Sequence, residues 1–226
     1  MIRILQILFV LMLSAPVISY AQTIEPTAAD KAAQYTKTIT DRSDKIVAKL
    51  GISDQAKYKR VLDVIVNQYR SINDIHDTNK TQIADINKQA GNDKDATAAK
   101  IKAANDELDQ KNDKLHKDYL AKLGAELTTD QVDKVKDEMT YNVLSVTYKA
   151  YLDEIQSLTY AQKAQIKNWL VEAREHAIDG ESSEKKHAMF NKYKGRINNY
   201  LSAQGYNLKK ETEEWTKRRN AASDKN

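Results

Sequence analysis

The chain has 226 residues, of which 41% are hydrophobic and 30% charged, with a net charge of +4 at pH 7. The apolar content excludes full disorder, and only six glycines and two prolines argue against an all-β sandwich or barrel, whose turns need both residue types. Cysteine is absent, which excludes disulfides, and the composition favours long helices.

The first 21 residues have the organisation of a signal peptide. Arg3 provides a positive charge before the apolar run 4–13, and Ser19-Tyr20-Ala21 predicts cleavage after Ala21. The run is shorter than the roughly 20 residues that span a membrane, and an acylated N-terminal anchor would need a cysteine. We therefore expect an exported protein, periplasmic or extracellular, with no membrane contact after cleavage and a disordered lead over 22–29.

Apolar spacing predicts two helices at the start of a single helical domain over 30–220. Apolar residues at spacings of seven and four predict a first helix over 27–50, and Gly51 is expected to terminate it. Ser53 is then expected to cap a second and much longer helix, because a serine hydroxyl can accept hydrogen bonds from the first free backbone amides.

The second helix continues into a predicted hairpin arm. Apolar positions recur every seven residues on both sides of the Gly-Asn pair at 91–92. This spacing keeps side chains on the seam between paired helices, so we predict an antiparallel coiled-coil hairpin over 72–120. Two ordinary amphipathic helices folded back on the body are the alternative. The seam positions are Ile65, Ile72, Asn79, Ile86, Ile101, Leu108 and Leu115.

A recurring helix-start signal divides the rest of the chain. Leu-Thr-x-x-Gln occurs at 127–131 and 158–162, where the threonine can cap a helix while the leucine packs on its first turn. The predicted helices are 128–153, 159–178, 183–203 and 208–220. The fold class is therefore all-α, a multi-helix bundle with a long antiparallel coiled-coil hairpin arm, and 221–226 is expected to be a disordered tail.

Basic residues concentrate at the C-terminal end. The stretch 181–226 has 11 Lys and Arg against 6 Asp and Glu, whereas 22–180 has 24 against 26. The positive excess suits an anionic partner, such as a uronic-acid polymer, a phosphate or an acidic protein face. A solvated helix surface is the simpler explanation, and nucleic acid is not expected as a partner of an exported protein.

Two polar clusters in the first two thirds of the chain are candidates for a binding site. One helical face near the root of the hairpin carries Arg70, Asn73, Asp74 and Asp77. His76 lies nearly opposite Asp74 on the helix, so their spacing fits no zinc site, and a solvated polar face is the alternative. The second cluster contains Tyr141 and Asn142. A tyrosine ring can line a sugar site, although packing at the edge of the core explains it as well.

The third cluster is a polar row on one predicted helix, formed by His187, Asn191, Lys194 and Asn198. Gly195 beside the row would let a ligand approach the backbone, although a solvated surface explains the row equally. The residues that we predict to bind a ligand are Arg70, Asp74, His76, Tyr141, Asn142, His187, Lys194, Arg196, Asn198 and Asn199.

The sequence contains no recognisable catalytic motif. A G-x-S-x-G elbow, a phosphate-binding glycine loop and an H-E-x-x-H helix are all absent, so we predict no catalytic residue, no metal ligand and no cofactor. A glycosidase would need two carboxylates held a set distance apart across a cleft, and sequence does not reveal such a distance. A non-enzymatic binding protein is favoured over a hydrolase.

Several stretches resemble an uncharacterised secreted family of Bacteroidetes. They are INDIHD at 72–77, TYNVL at 140–144, EAREHAIDG at 172–180 and KYKGRINNY at 192–200. The family is described as sugar-binding and is found near polysaccharide-utilisation genes. The resemblance covers roughly 30–220 and implies an exported helical protein of carbohydrate-degrading bacteria. Together with the polar row beside Gly195, it favours a protein that binds a saccharide or glycan fragment.

A weaker likeness supports a second function. The Leu-Thr-x-x-Gln copies at 127–131 and 158–162 are similar to repeats of small periplasmic stress chaperones of the Spy and CpxP type. That likeness implies a chaperone-like or scaffolding protein, which could bind a protein partner through the coiled-coil arm. A large exposed apolar patch would favour this alternative.

Overall fold

The computed structural model describes residues 27–223, and within this range it contains α-helices, one short 3-10 turn and no strand. The all-α prediction is therefore confirmed, whereas the predicted signal peptide lies outside the described residues. The helices are α1 Ala28–Val47, α2 Gln55–Lys88, α3 Lys94–Glu126, α4 Thr129–Met139, α5 Val143–Glu154, α6 Tyr160–Ala177, α7 Ser183–Ala203 and α8 Leu208–Ser223.

The helices begin where side chains can satisfy their free backbone amides. Thr128 and Thr159 each cap a helix in a reciprocal arrangement with a glutamine three residues later, as the repeated signal predicts. At α2 the cap is Asp54 rather than Ser53, because its carboxylate accepts from two backbone amides. At α1 the cap is Thr27, so the helix begins inside the segment predicted as a disordered lead.

The predicted helix 128–153 is wrong, because the chain turns sharply between α4 and α5. Tyr141 and Asn142 adopt left-handed backbone conformations, with φ angles of 58° and 57°. The amide of Asn142 donates to the carbonyl of Asp137 at 2.8 Å, which closes the turn. Asparagine tolerates this conformation better than most residues, but a tyrosine does not indicate in the sequence that a helix ends there.

The chain packs into two half-bundles with separate cores. The first half-bundle consists of α1–α4 and buries Val47, Ile65, Leu123 and other apolar side chains. The second half-bundle consists of α5–α8, and its core includes the fully buried Leu170 and Ile197. The predicted single domain over 30–220 thus contains two apolar clusters, and α4 leads from one to the other through the turn at residues 140–142.

Helices α2 and α3 form an antiparallel hairpin whose burial declines toward its tip. Ile72 and Ala104 are buried, and the amide of the buried Asn79 donates to the carbonyl of Ala104 at 2.9 Å. Farther out, Ile86 and Ile101 are only half-buried. Midway along the hairpin, a hydrogen bond from a side-chain amide to the backbone therefore joins the two helices. The coiled-coil packing of this arm stays a prediction. No described helix is long and apolar enough to cross a membrane.

The decline in burial along α2 gives a stability prediction. We expect Ile65→Ala to lower the free energy of unfolding by about 2–5 kcal/mol, because Ile65 is fully buried in the first core. Ile86→Ala, three heptads farther along the same helix, removes the same atoms from a half-exposed site and should have an effect below about 1 kcal/mol. Urea unfolding measures both, and equal losses would contradict the placement of the core.

Candidate functional site

The end of α6 docks on the first half-bundle. Ile178, the residue after α6, is fully buried in the first core. One turn earlier, the guanidinium of Arg174 donates to Asp133 and Asp137 of α4, both at 2.7 Å. The buried Ile178 side chain and the Arg174 ion pairs therefore fix the position of the loop 178–182 between α6 and α7, which we call the corner.

A cleft of about 890 Å³ lies between the α2–α3 hairpin on one side and the corner with α7 on the other. We call it the hairpin cleft. Its size falls within the roughly 300–1,000 Å³ of small-molecule sites. Most of the residues that line it are polar, and they include His76, Asn105, Asn112, Asp179, Glu181 and Lys192.

Two histidine–carboxylate pairs join the hairpin to the corner beside this cleft. His116 Nδ1 lies 2.9 Å from Asp179 Oδ2, and this hydrogen bond raises the pKa of His116. His76 Nδ1 lies 3.7 Å from Glu181 Oε2, which is too far for a direct hydrogen bond. The two carboxylates are separated by Gly180, where an added Cβ would lie 3.1 Å from the Lys186 side chain. The corner is therefore tightly packed, and its carboxylates have defined partners.

Residues of the hairpin cleft include buried polar atoms that make no hydrogen bond within the protein. Among the described residues, five buried side-chain polar atoms make no hydrogen bond, and three of them belong to residues that line this cleft. They are His76 Nε2, Asn112 Oδ1 and Asp179 Oδ1. Most buried polar atoms in proteins are paired, because an unpaired one costs about 1–3 kcal/mol. A ligand that bonds to these atoms would remove that penalty.

These atoms can recognise a ligand rich in hydroxyl groups. Asp179 holds His116 with one oxygen and leaves the other as an acceptor, and Asn112 contributes an amide oxygen. His76 Nε2 can accept or donate according to its tautomer. The described residues contain no group of three or more His, Asp or Glu side chains that could hold a metal ion.

Lys186 is buried behind the corner. Only 2% of its surface is exposed, and its amine donates to the carbonyl of Ile178 at 3.0 Å. The amine also lies 5.7 Å from the centre of the Tyr69 ring. Burial lowers the pKa of Lys186 to about 8, although the nearby Asp179 acts in the opposite direction. The residue ties α7 to the docked end of α6 and to α2.

The structure brings together two predicted site residues from distant segments. The rings of Tyr141 and His187 stack with centroids 5.5 Å apart and planes at 10°. Tyr141 lies in the left-handed turn beside Asn142, and 39% of the residue is exposed. Of the ten predicted site residues, only His76 lines the hairpin cleft.

Lys194, Arg196 and Asn198 of α7 contact other parts of the second half-bundle. Lys194 and Asn198 line a separate cavity of about 310 Å³ between α5, α7 and α8. The hydroxyl of Tyr151 donates to Asn198 Oδ1 at 2.7 Å there. The guanidinium of Arg196 lies 4.6 Å from the centre of the Trp169 ring.

The remaining predicted residues lie on open surfaces. Arg70 donates to Asn67 at 3.5 Å, Asp74 lines a shallow groove along α2, and Asn199 is exposed. The structure therefore does not bring the ten predicted residues together in one recess. Spacing along one helix shows which residues share a face, but it does not show where that face points once the helices pack. The polar rows on separate helices therefore face different surfaces.

The cleft also contains or adjoins residues that are not among those predicted from the sequence, namely Asn112, His116, Asp179 and Glu181. The sequence indicates the α3 side of the cleft in part, because Asn105 and Asn112 are seven residues apart and form a polar row beside the apolar seam. No comparable local signal exists for Asp179 and Glu181, because their position follows from the docking of Ile178 in the first core.

The described chain is thus an all-α protein of two half-bundles with a polar cleft between its hairpin and its α6–α7 corner. A family model described as protein of unknown function (DUF3826) matches residues 36–221, and the chain belongs to this family. No curated protein matches the chain. The family match is consistent with the expected uncharacterised family, and it carries no statement about ligand, location or activity.

The buried Lys186 predicts how the free energy of unfolding depends on pH. Its pKa of about 8 in the folded protein lies below the usual 10.5, so the unfolded chain binds more protons between these values and stability rises with pH across this range. We expect Lys186→Met to abolish this rise. At pH 7 it should raise the free energy of unfolding by about 1–2 kcal/mol, since relief from burying a charge exceeds the lost bond to Ile178.

Urea unfolding at pH values from 7 to 10 provides the measurement. Lys185→Met is the matched control, because Lys185 is the exposed neighbour on the same helix, and it should retain the wild-type pH dependence. An unchanged pH dependence in Lys186→Met would show that the amine is not buried as described.

Proposed function

We propose that the protein is an exported, non-enzymatic binding protein that holds a saccharide or short glycan fragment in the hairpin cleft. The observation that carries this proposal is the set of three buried polar atoms without partners, on His76, Asn112 and Asp179. They come from α2, α3 and the corner, so a single ligand in the cleft could contact three separate parts of the chain.

The chemistry of the cleft favours hydroxyl groups over other small ligands. A sugar hydroxyl both donates and accepts, so it can satisfy the two oxygen acceptors and either tautomer of His76. Two oxygen acceptors disfavour a small inorganic anion at the same place, because it offers them no donor. The resemblance to secreted proteins described as sugar-binding supports the same choice, and a role in polysaccharide utilisation is part of the proposal.

The chaperone-like alternative has less support. Among the described residues, only three large hydrophobic side chains are exposed, Tyr141, Val146 and Tyr160. They come from the α4–α5 turn, α5 and the first turn of α6, and a client-binding face would need a larger continuous apolar surface. A protein partner along the hairpin arm remains a secondary proposal.

Glycan-array screening followed by calorimetry tests the proposal. We expect Asn112→Ala to weaken binding of the best glycan about tenfold or more, because it removes a buried acceptor from the cleft. Asn199→Ala is the matched control, since Asn199 is exposed and lines none of the cavities described above, and its affinity should equal that of the wild type.

Two results would contradict the proposal. No binding across neutral and acidic glycans would exclude a saccharide ligand. Binding that Asn112→Ala leaves unchanged would exclude the hairpin cleft as its location, provided that circular dichroism shows the variant to be folded.

A further inference from the structure

The outer part of the α2–α3 hairpin lies outside both apolar cores. Along α2 the last residue of the first core is Tyr69, and along α3 its first residue is Tyr119. No described residue between these two positions belongs to either apolar cluster. We call residues 70–118 the outer hairpin. Apart from the continuity of its two helices, its position relative to α7 therefore depends on contacts outside the two cores.

Two histidine–carboxylate pairs link the outer hairpin to the corner. His116 Nδ1 forms its 2.9 Å hydrogen bond with Asp179, and His76 Nδ1 lies within ion-pair range of Glu181 at 3.7 Å. The four side chains are between 14% and 22% exposed. In the described part of the chain, no other hydrogen bond or ion pair joins the outer hairpin to the corner or to α7. Both links thus depend on histidine, whose charge changes near neutral pH.

Most of the groups around His116 favour its charged form. The hydrogen bond to Asp179 raises the pKa of His116 above the usual 6.5, and the carboxylate of Glu175 on α6 acts in the same direction. Burial and the ammonium group of Lys136 on α4 oppose this increase. Lys186, behind the corner, also interacts with Asp179. The stabilisation from the ion pair between His116 and Asp179 is therefore complete below about pH 6.5, and it is lost as the pH rises through the raised pKa.

The pair between His76 and Glu181 has room to shorten. Hydrogen bonds between oppositely charged groups measure about 2.7–2.9 Å, so the separation of 3.7 Å leaves about 1 Å. Among the described residues, Glu181 is the only carboxylate in ion-pair range of a His76 ring nitrogen. A protonated His76 is attracted to Glu181 across this gap, so the pair closes when the imidazole takes up a proton. Apart from Asp179, the other titratable groups that line the cleft around His76 are Lys80, Asp109, Asp113, His176, Lys185 and Lys192.

We infer that these two pairs form a pH-dependent switch that opens and closes the hairpin cleft. When both histidines are protonated, the outer hairpin is drawn toward the corner and the cleft narrows. When both are neutral, the outer hairpin moves away and the cleft widens. The switch is a property of the protein without a ligand, so it does not rest on the proposed function.

The length of the outer hairpin amplifies this movement. At about 1.5 Å per residue, His76 lies about 10 Å beyond Tyr69 along α2, whereas Asn87 near the tip lies about 27 Å beyond it. With Tyr69 as the pivot, a change of about 1 Å at His76 therefore moves the tip by about 2–3 Å.

Electron–electron resonance between two spin labels measures this displacement. The labels are attached through Asn87→Cys near the tip and Lys167→Cys on α6, because the chain has no other cysteine and both positions are exposed. Between pH 5 and pH 8 we expect the distance between the labels to change by about 2–3 Å. The midpoint of the change should fall between the pKa values of His76 and His116 measured by NMR in the same protein.

The double variant His76→Asn/His116→Asn removes the titration but not the neutral contacts. Asparagine keeps a neutral donor near the position of the imidazole Nδ1 and takes up no proton, so the change in distance should fall to less than half. His187→Asn is the matched control, since His187 is exposed and stacks with Tyr141 outside the switch, and it should keep the full change. Lys186 is present in every variant, so its own titration does not account for the difference.

Two results would overturn the inference. One is a distance that stays constant between pH 5 and pH 8 in the labelled protein with all its histidines, and the other is a change that survives in the double variant. If the double variant does not fold, a midpoint outside the range of the two histidine pKa values overturns the inference equally.

Discussion

The docking of Ile178 in the core of the first half-bundle is the contact on which the rest of the site depends. Ile178 follows α6, a helix of the second half-bundle, yet its side chain is fully buried among residues of α1–α4. Arg174 secures the same end of α6 through two aspartates of α4. Because Ile178 and Arg174 lie one helical turn apart, their contacts fix both the position and the direction of the corner that follows.

The corner forms one side of the hairpin cleft and contributes polar side chains to it. Asp179 and Glu181 flank Gly180 and pair with histidines of the hairpin, and Lys186 closes the corner from behind. Each of these side chains makes at least one polar contact within the protein. Asp179 retains an oxygen that no protein group satisfies, and two more such atoms lie on the hairpin. A rigid corner therefore presents acceptors at fixed positions, which lowers the conformational entropy lost when a ligand binds.

Local signals in the sequence predict most of the helices but little of the site. Thr128 and Thr159 cap their helices as expected, because capping depends on residues within one turn. The break at Tyr141 and Asn142 lacks a glycine or proline and was therefore not predictable from local pattern. His76 was predicted to bind a ligand, whereas Asp179 was not. Their proximity depends on packing between segments about a hundred residues apart, which periodicity along one helix does not encode.

Side-chain amide signals in ¹H–¹⁵N spectra offer the most direct test that the hairpin cleft is the binding site. The glycan that binds best in the array screen would be titrated into uniformly ¹⁵N-labelled protein. We expect the side-chain amides of Asn105 and Asn112 and the backbone amide of Gly180 to shift, since all three residues line the cleft. The side-chain amides of Asn198 and Asn199 should stay in place. Shifts confined to Asn198 and its neighbours would contradict the account and assign binding to the cavity between α5, α7 and α8.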